Sequence, residues 1–223
     1  MPLTRVAASH RRVARRPGAR LARQSLFLVV CALSISLFVK VFVAQMFLVP
    51  SSSMEPTLQV GDVIAVTRPL LHSGRPHRGD IVVFRDPGGW MPAAPQPSSP
   101  LAGALRFIGM IPYHSDEHLV KRIVGEAGDV VECRGRGSLY LNGAPLTEPY
   151  VAPGARPCGD TFSVTVPPRS VWVLGDNRDD SADSRYHLGD GRQGSVPLSC
   201  VVGTVVVRAW PPSRWGGSDW AEW

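Results

Sequence analysis

Residues 25–49, SLFLVVCALSISLFVKVFVAQMFLV, form an almost uninterrupted apolar run whose only charge is Lys40. About 20 apolar residues span the hydrocarbon core of a bilayer, so this run predicts a single transmembrane helix over 25–48. Lys40 lies toward its outer end, where a long side chain snorkels to the interface. Seven arginines and no acid precede the run, in residues 1–24. That asymmetry places the N-terminus in the cytoplasm and the rest of the chain outside, as a single-pass protein of the cell membrane. A cleavable leader is the competing reading. Its cleavage triplet would be Phe42-Val43-Ala44, with a bulky side chain where a small one is needed, and the run exceeds a typical leader core.

The anchor divides the chain. Residues 1–24 read as a basic, disordered tail, 49–211 as one extracytoplasmic domain and 212–223 as a tryptophan-containing tail. The net charge of +6 resides in the N-terminal tail, since residues 41–223 carry 16 basic and 18 acidic side chains. A basic face for nucleic acid is therefore not expected. Of the 24 basic residues only Lys40 and Lys121 are lysines, so Lys121 is the only lysine of the exterior domain.

Beyond the run the pattern is of short strands separated by glycine, proline and Asx turns. Strands are predicted over 62–68, 80–85, 118–124, 129–133, 138–142, 161–166, 171–174 and 201–210, with Asn142-Gly143 as a hairpin turn. Residues 104–112 are apolar but too short to span; they read as a core strand or a contact with the bilayer surface. The fold class is mostly β: one N-terminal transmembrane helix, then a coiled, barrel-like all-β domain. Cys133 and Cys158 flank a hairpin and a Pro/Gly-rich loop, outside the membrane, and are the predicted disulfide. Cys31 in the span reads as inert and Cys200 as a buried thiol. The six histidines are scattered and no Cys/His spacing fits zinc, so no metal and no other cofactor is expected.

Three segments carry chemistry. Pro50-Ser51-Ser52-Ser53-Met54-Glu55-Pro56-Thr57-Leu58 sets three hydroxyls between prolines, in what reads as a stiff, extended loop. Alone it is a polar loop. Lys121, between Leu119 and Ile123 on one strand face, would lose hydration and become a neutral amine, the base that a serine nucleophile needs. Alone it is a snorkelling strand lysine. Residues 175–186, GDNRDDSADSRY, interleave acids with arginines and read as a self-bonded scaffold rather than a cation loop. No Gly-x-Ser-x-Gly elbow or Ser-x-x-Lys pattern is present, and nothing specifies a Ser-His-Asp triad.

With Gly61-Asp62, Arg78-Gly-Asp-Ile-Val-Val83 and Lys121-Arg-Ile-Val-Gly-x-x-Gly-Asp129, these segments resemble the ordered boxes of bacterial type I signal peptidase, a Ser/Lys protease family, over about residues 40–210. The resemblance implies a signal-peptidase catalytic domain with Ser53 as nucleophile and Lys121 as general base. It also implies an oxyanion hole made by the Ser51 hydroxyl and the Ser53 amide, Ser181 hydrogen-bonded to the lysine and orienting it, and Asp183 and Arg185 in support. The positions matching the substrate cleft are Phe47, Val49, Met54, Leu58, Ile64, Leu119 and Val120. The implied partners are secreted preproteins emerging from the translocase at the lipid bilayer, cut after small-x-small sites. Ser52 stands where glycine is common, as a spacer; Asp180 stands where asparagine is common, and His187-Leu188 interrupts the usual aromatic-glycine ending. A self-cleaving repressor-type protease shares the Ser/Lys logic but would need a DNA-binding domain in place of residues 1–49. A non-catalytic, membrane-anchored binding domain is the third reading.

Overall fold

The computed structural model describes residues 17–38, 44–67, 75–91, 118–135 and 137–216. The chain divides into two units, residues 1–39 and 40–223. Among the described residues the first contains one helix, α1 (Pro17–Phe38). Proline is well tolerated at a helix start because its missing N–H would have no partner there. The helix thus begins inside the segment expected to be a disordered tail. Ala44–Leu48, expected to continue the anchor, is a strand. Among the described residues no helix is long and apolar enough to cross a membrane. Apolar continuity alone does not separate a helix from a core strand. At 44–48 pairing decides: this strand, β1, takes an antiparallel partner and buries Phe47.

The second unit is built from β2 (Val63–Thr67), β3 (Ile81–Arg85), β4 (His118–Gly125), β5 (Val130–Cys133), β6 (Leu139–Leu141), β7 (Ala144–Pro145), β8 (Phe162–Thr165), β9 (Ser170–Leu174), β10 (Val196–Pro197) and β11 (Val201–Trp210). Seven strands pair in the order β1-β2-β11-β3-β4-β9-β10 and four in the order β7-β6-β5-β8, all antiparallel. The larger sheet is open, so the expected barrel does not close among the described residues. One edge is the two-residue β10, which ends at Pro197, a residue with no N–H to extend a ladder.

The expected strands lie where the β-branched runs placed them, and Asn142-Gly143 turns with positive φ at both residues, as a tight hairpin requires. Inward side chains segregate by strand face. Ile81 and Val83 join Phe47, Val49, Met54, Leu58, Ile64 and Val120 in one cluster, whereas Val82 and Phe84 join Trp90, Ile123, Val171 and Val173 in another. A third cluster, around Trp172, Val131 and Leu139, includes Cys133 and Cys158, which form the predicted disulfide. Cys200 is half-buried rather than fully buried. Part of the expected C-terminal tail is docked: Arg214 pairs with Asp62 at 2.9 Å, and Gly216 bridges to Arg208. Residues 104–112 and most of the N-terminal tail lie outside the described residues.

Candidate active site

The serine segment is not uniformly extended. Ser51 is extended, but Ser52–Met54 form one 3-10 turn, closed by Glu55 N–H to the Ser52 carbonyl at 3.0 Å. Met54 and Leu58 pin this turn to the core below it, and Ser53 is buried with them. Strand β4 brings Lys121 in from 68 residues away, and Lys121 Nζ lies 2.6 Å from Ser53 Oγ. Ser51 Oγ is 3.2 Å from the same Ser53 Oγ.

Lys121 is 3% exposed. Burial pulls its ammonium down to about 8 from the usual 10.5, with Arg185 acting in the same sense, while the carboxylates of Asp183, Asp176 and Asp180 oppose the shift. An amine so placed is neutral in a useful fraction of molecules near neutral pH.

The 175–186 loop holds this arrangement. Asn177 N–H donates to the Ser53 carbonyl at 3.1 Å, and Asn177 Nδ2 donates to the Ser52 carbonyl at 3.2 Å. A Cβ on Gly175 would fall 2.4 Å from the Ser53 carbonyl oxygen and 2.2 Å from Ser181 Oγ, so only glycine lets the loop come this close. Asp183 accepts from Gly175 N–H at 3.1 Å and from Arg185 Nε and Nη2 at 2.9 Å each. Arg185 also donates to the Arg178 carbonyl at 2.7 Å. The loop is therefore cross-linked internally, as its interleaved charges suggested.

Two expected roles differ. Ser181 is buried beside the site, but its hydroxyl has no hydrogen-bond partner; the expected bond to Lys121 is not formed. Lys121 Nζ is aimed at Ser53 instead. Ser52 is more than a spacer: its hydroxyl donates to Asp180 Oδ2 at 2.5 Å, joining the nucleophile turn to the loop.

A cavity of about 190 Å³ opens beside the serine and lysine, walled by Val49, Ser51, Ser53 and Met54 on one side and by Leu119, Val120 and Lys121 on the other. Of the expected cleft residues, Val49, Met54, Leu119 and Val120 line it. Phe47, Leu58 and Ile64 do not. They are 0–3% exposed, in the core cluster that also holds Met54 and Val120. Phe47 sits edge-on to His118, itself a wall residue, with ring centres 5.3 Å apart. Apolar identity alone does not separate a wall from its foundation.

Sequence reasoning missed the ion pair beneath the site. Arg122, next to Lys121, donates from Nε and Nη2 to the two oxygens of Asp176 at 2.8 Å each, and both side chains are wholly buried. Thr57 also donates to Asp176, at 2.6 Å, and the Arg122 guanidinium stacks 4.0 Å from the Tyr150 ring centre. A second buried pair joins Arg178 to Glu148. Arg122, Asp176 and Arg178 lie in the motifs above and Glu148 in none of them, and nothing in linear spacing marks which residues meet.

The signal peptidase, peptidase S26 family model matches residues 22–210. A probable signal peptidase I of Mycobacterium leprae is 40% identical over 222 residues, covering 85% of this chain and 76% of that protein. The signal peptidase I of Mycobacterium tuberculosis strain H37Rv is 41% identical over 219 residues, covering 87% and 74% respectively. The crystal structure of a signal peptidase I from Enterococcus faecalis aligns with 27% identity and a TM-score of 0.38, over 59% of this chain and 97% of that one. The family model and the two mycobacterial relatives make this chain a hydrolase of the serine peptidase class. The chain belongs to the signal peptidase family, peptidase S26.

Proposed function

We propose that this chain removes N-terminal signal peptides from exported preproteins, cutting after small-x-small sites with Ser53 as nucleophile and Lys121 as general base. The observation that carries this reading is the 2.6 Å approach of Lys121 Nζ to Ser53 Oγ, at a lysine whose burial favours the neutral amine. Neutral Lys121 accepts the Ser53 proton as Oγ attacks the scissile carbonyl carbon. The carbonyl oxygen becomes an oxyanion beside the Ser51 hydroxyl and the Ser53 amide, donors of a kind worth about 10²–10³-fold each. The tetrahedral intermediate expels the new N-terminal amine, which takes the proton from Lys121. An acyl ester remains on Ser53. Lys121 then deprotonates water, which attacks that ester; the acyl–Oγ bond breaks, Lys121 returns the proton to Ser53 Oγ, and the signal peptide leaves with a free carboxylate. The relatives' names support the substrate class, and the small, apolar-walled cavity supports the preference for small side chains.

The same reading anchors the protein in the cell membrane through the apolar stretch of which α1 carries the first part, with its arginines on the cytoplasmic side. Leu26, Phe27, Leu28 and Leu33 of α1 are exposed, as lipid-facing side chains would be. The test is cleavage of a preprotein bearing an Ala-x-Ala site by wild type and by Ser53→Ala, side by side. Loss of product with the variant is expected; retained cleavage would remove Ser53 from the mechanism.

A further inference from the structure

The cavity has one wall that neither the serine segment nor β4 supplies: Met91, which follows β3 by six residues. Its placement is built rather than incidental. The Asp86 carboxylate accepts from Gly88 N–H at 2.7 Å, Trp90 N–H at 3.0 Å and Met91 N–H at 3.1 Å. These bonds hold the Asp86 carboxyl below its ordinary range, although its partial burial acts the other way. Glycines 88 and 89, both at positive φ, let the chain curl around that carboxylate. Trp90 then locks the turn to the body. It is buried, edge-on to Phe84 at 5.8 Å, and stacked on His187 at 4.2 Å between ring centres. Arg192 donates to the Pro87 carbonyl at 2.7 Å. These anchors fix the turn up to and including the Met91 backbone, and Met91 is half-buried and lines the cavity.

We infer that Met91, presented by the turn that Asp86 clasps, is a specificity-determining residue that limits the size of the substrate side chain accepted beside Ser53. This rests on the peptidase reading above. The Met91 side chain takes up volume at an apolar wall of a cavity of about 190 Å³, so a branched substrate side chain has less room there than a methyl. The chemistry of the scissile bond does not involve it.

The test compares kcat/KM for two peptides, one with alanine at both small positions of the cleavage site and one with leucine at either position. The full chain is assayed as wild type, Met91→Ala, Met91→Leu and Asp86→Ala. Removing side-chain bulk from one wall of an apolar pocket changes discrimination by about 10-fold or more. Met91→Ala is therefore expected to raise the leucine-to-alanine ratio by about that factor, Asp86→Ala to raise it in part by loosening the turn, and Met91→Leu to keep the wild-type ratio. A ratio unchanged in Met91→Ala, with the alanine peptide still cleaved, would overturn this inference and leave the peptidase reading intact. Failure of wild type to cleave the alanine peptide would overturn both.

Discussion

Lys121 should make the stability of this protein rise with pH in a window where most proteins lose it. In the folded chain its proton leaves near pH 8, because burial disfavours the ammonium; in the unfolded chain the ordinary value of 10.5 applies. Between those values the unfolded state binds more protons than the folded state, so the unfolding free energy increases with pH. Below pH 8 both states hold the proton, and the cost of burying a charged lysine is present in full. Above 10.5 neither holds it and the cost is gone. A gap of about 2.5 pH units, at about 1.4 kcal/mol each, makes the cost about 3 kcal/mol. Urea denaturation of wild type and Lys121→Met, followed by tryptophan fluorescence from pH 7 to 11, isolates it, since other titrating groups largely cancel in the difference. Wild type should gain about 3 kcal/mol on the variant across that range. Parallel curves would refute the argument that Lys121 is neutralised by burial. The same shift feeds catalysis. At pH 7 a value of about 8 leaves about 9% of the amine neutral, against about 0.03% for an ordinary lysine, an advantage of about 300-fold. The rate should climb through pH 7–8 and then level.

Lys121→Arg should abolish cleavage of an Ala-x-Ala preprotein, because a guanidinium stays protonated and cannot accept the Ser53 proton; near-normal turnover would end the Ser/Lys mechanism. Asp180→Asn removes a carboxylate that raises the Lys121 value, so the acid limb of the rate profile should move to lower pH. Ser52→Gly loses only the bond to Asp180 and should reduce kcat while leaving the limb in place; a pH-rate series on both separates positioning from charge. Asp176→Asn leaves the wholly buried Arg122 guanidinium without its counter-charge and should cost about 3–5 kcal/mol, read from the urea midpoint. Serine at Cys133 and Cys158 together releases a 25-residue closure and should cost about 3 kcal/mol by the same measurement.

How far the site could be read from the chain depended on the kind of signal each residue carries. Ser53 and Lys121 were legible only through the ordered motifs around them, since alone each read as a polar loop and a snorkelling lysine, and the structure brings them together. Ser181 was placed beside the site correctly, but its hydrogen bond was not, because rotamers and partners are set by packing. Phe47, Leu58 and Ile64 could not be sorted from Val49, Met54, Leu119 and Val120 by composition: all are apolar, and only position relative to the cavity distinguishes wall from support. Met91 gave no signal, since its role depends on a turn closed by Asp86 and locked by Trp90 on His187.

The sequence by itself determined the local features: the strands set by β-branched runs, the Asn142-Gly143 hairpin, the apolar run before the domain, and the residue types able to do acyl-transfer chemistry. Each rests on interactions between near neighbours in the chain, which periodicity and turn chemistry report. Tertiary structure alone decided that 44–48 pairs as β1, because strand against helix there turns on a partner across the sheet. It decided that, among the described residues, the larger sheet stays open at β10, that Arg122 meets Asp176, and that Ser52 reaches Asp180. These are pairings across 54 and 128 residues, and their energies come from desolvation and contact that no linear spacing encodes.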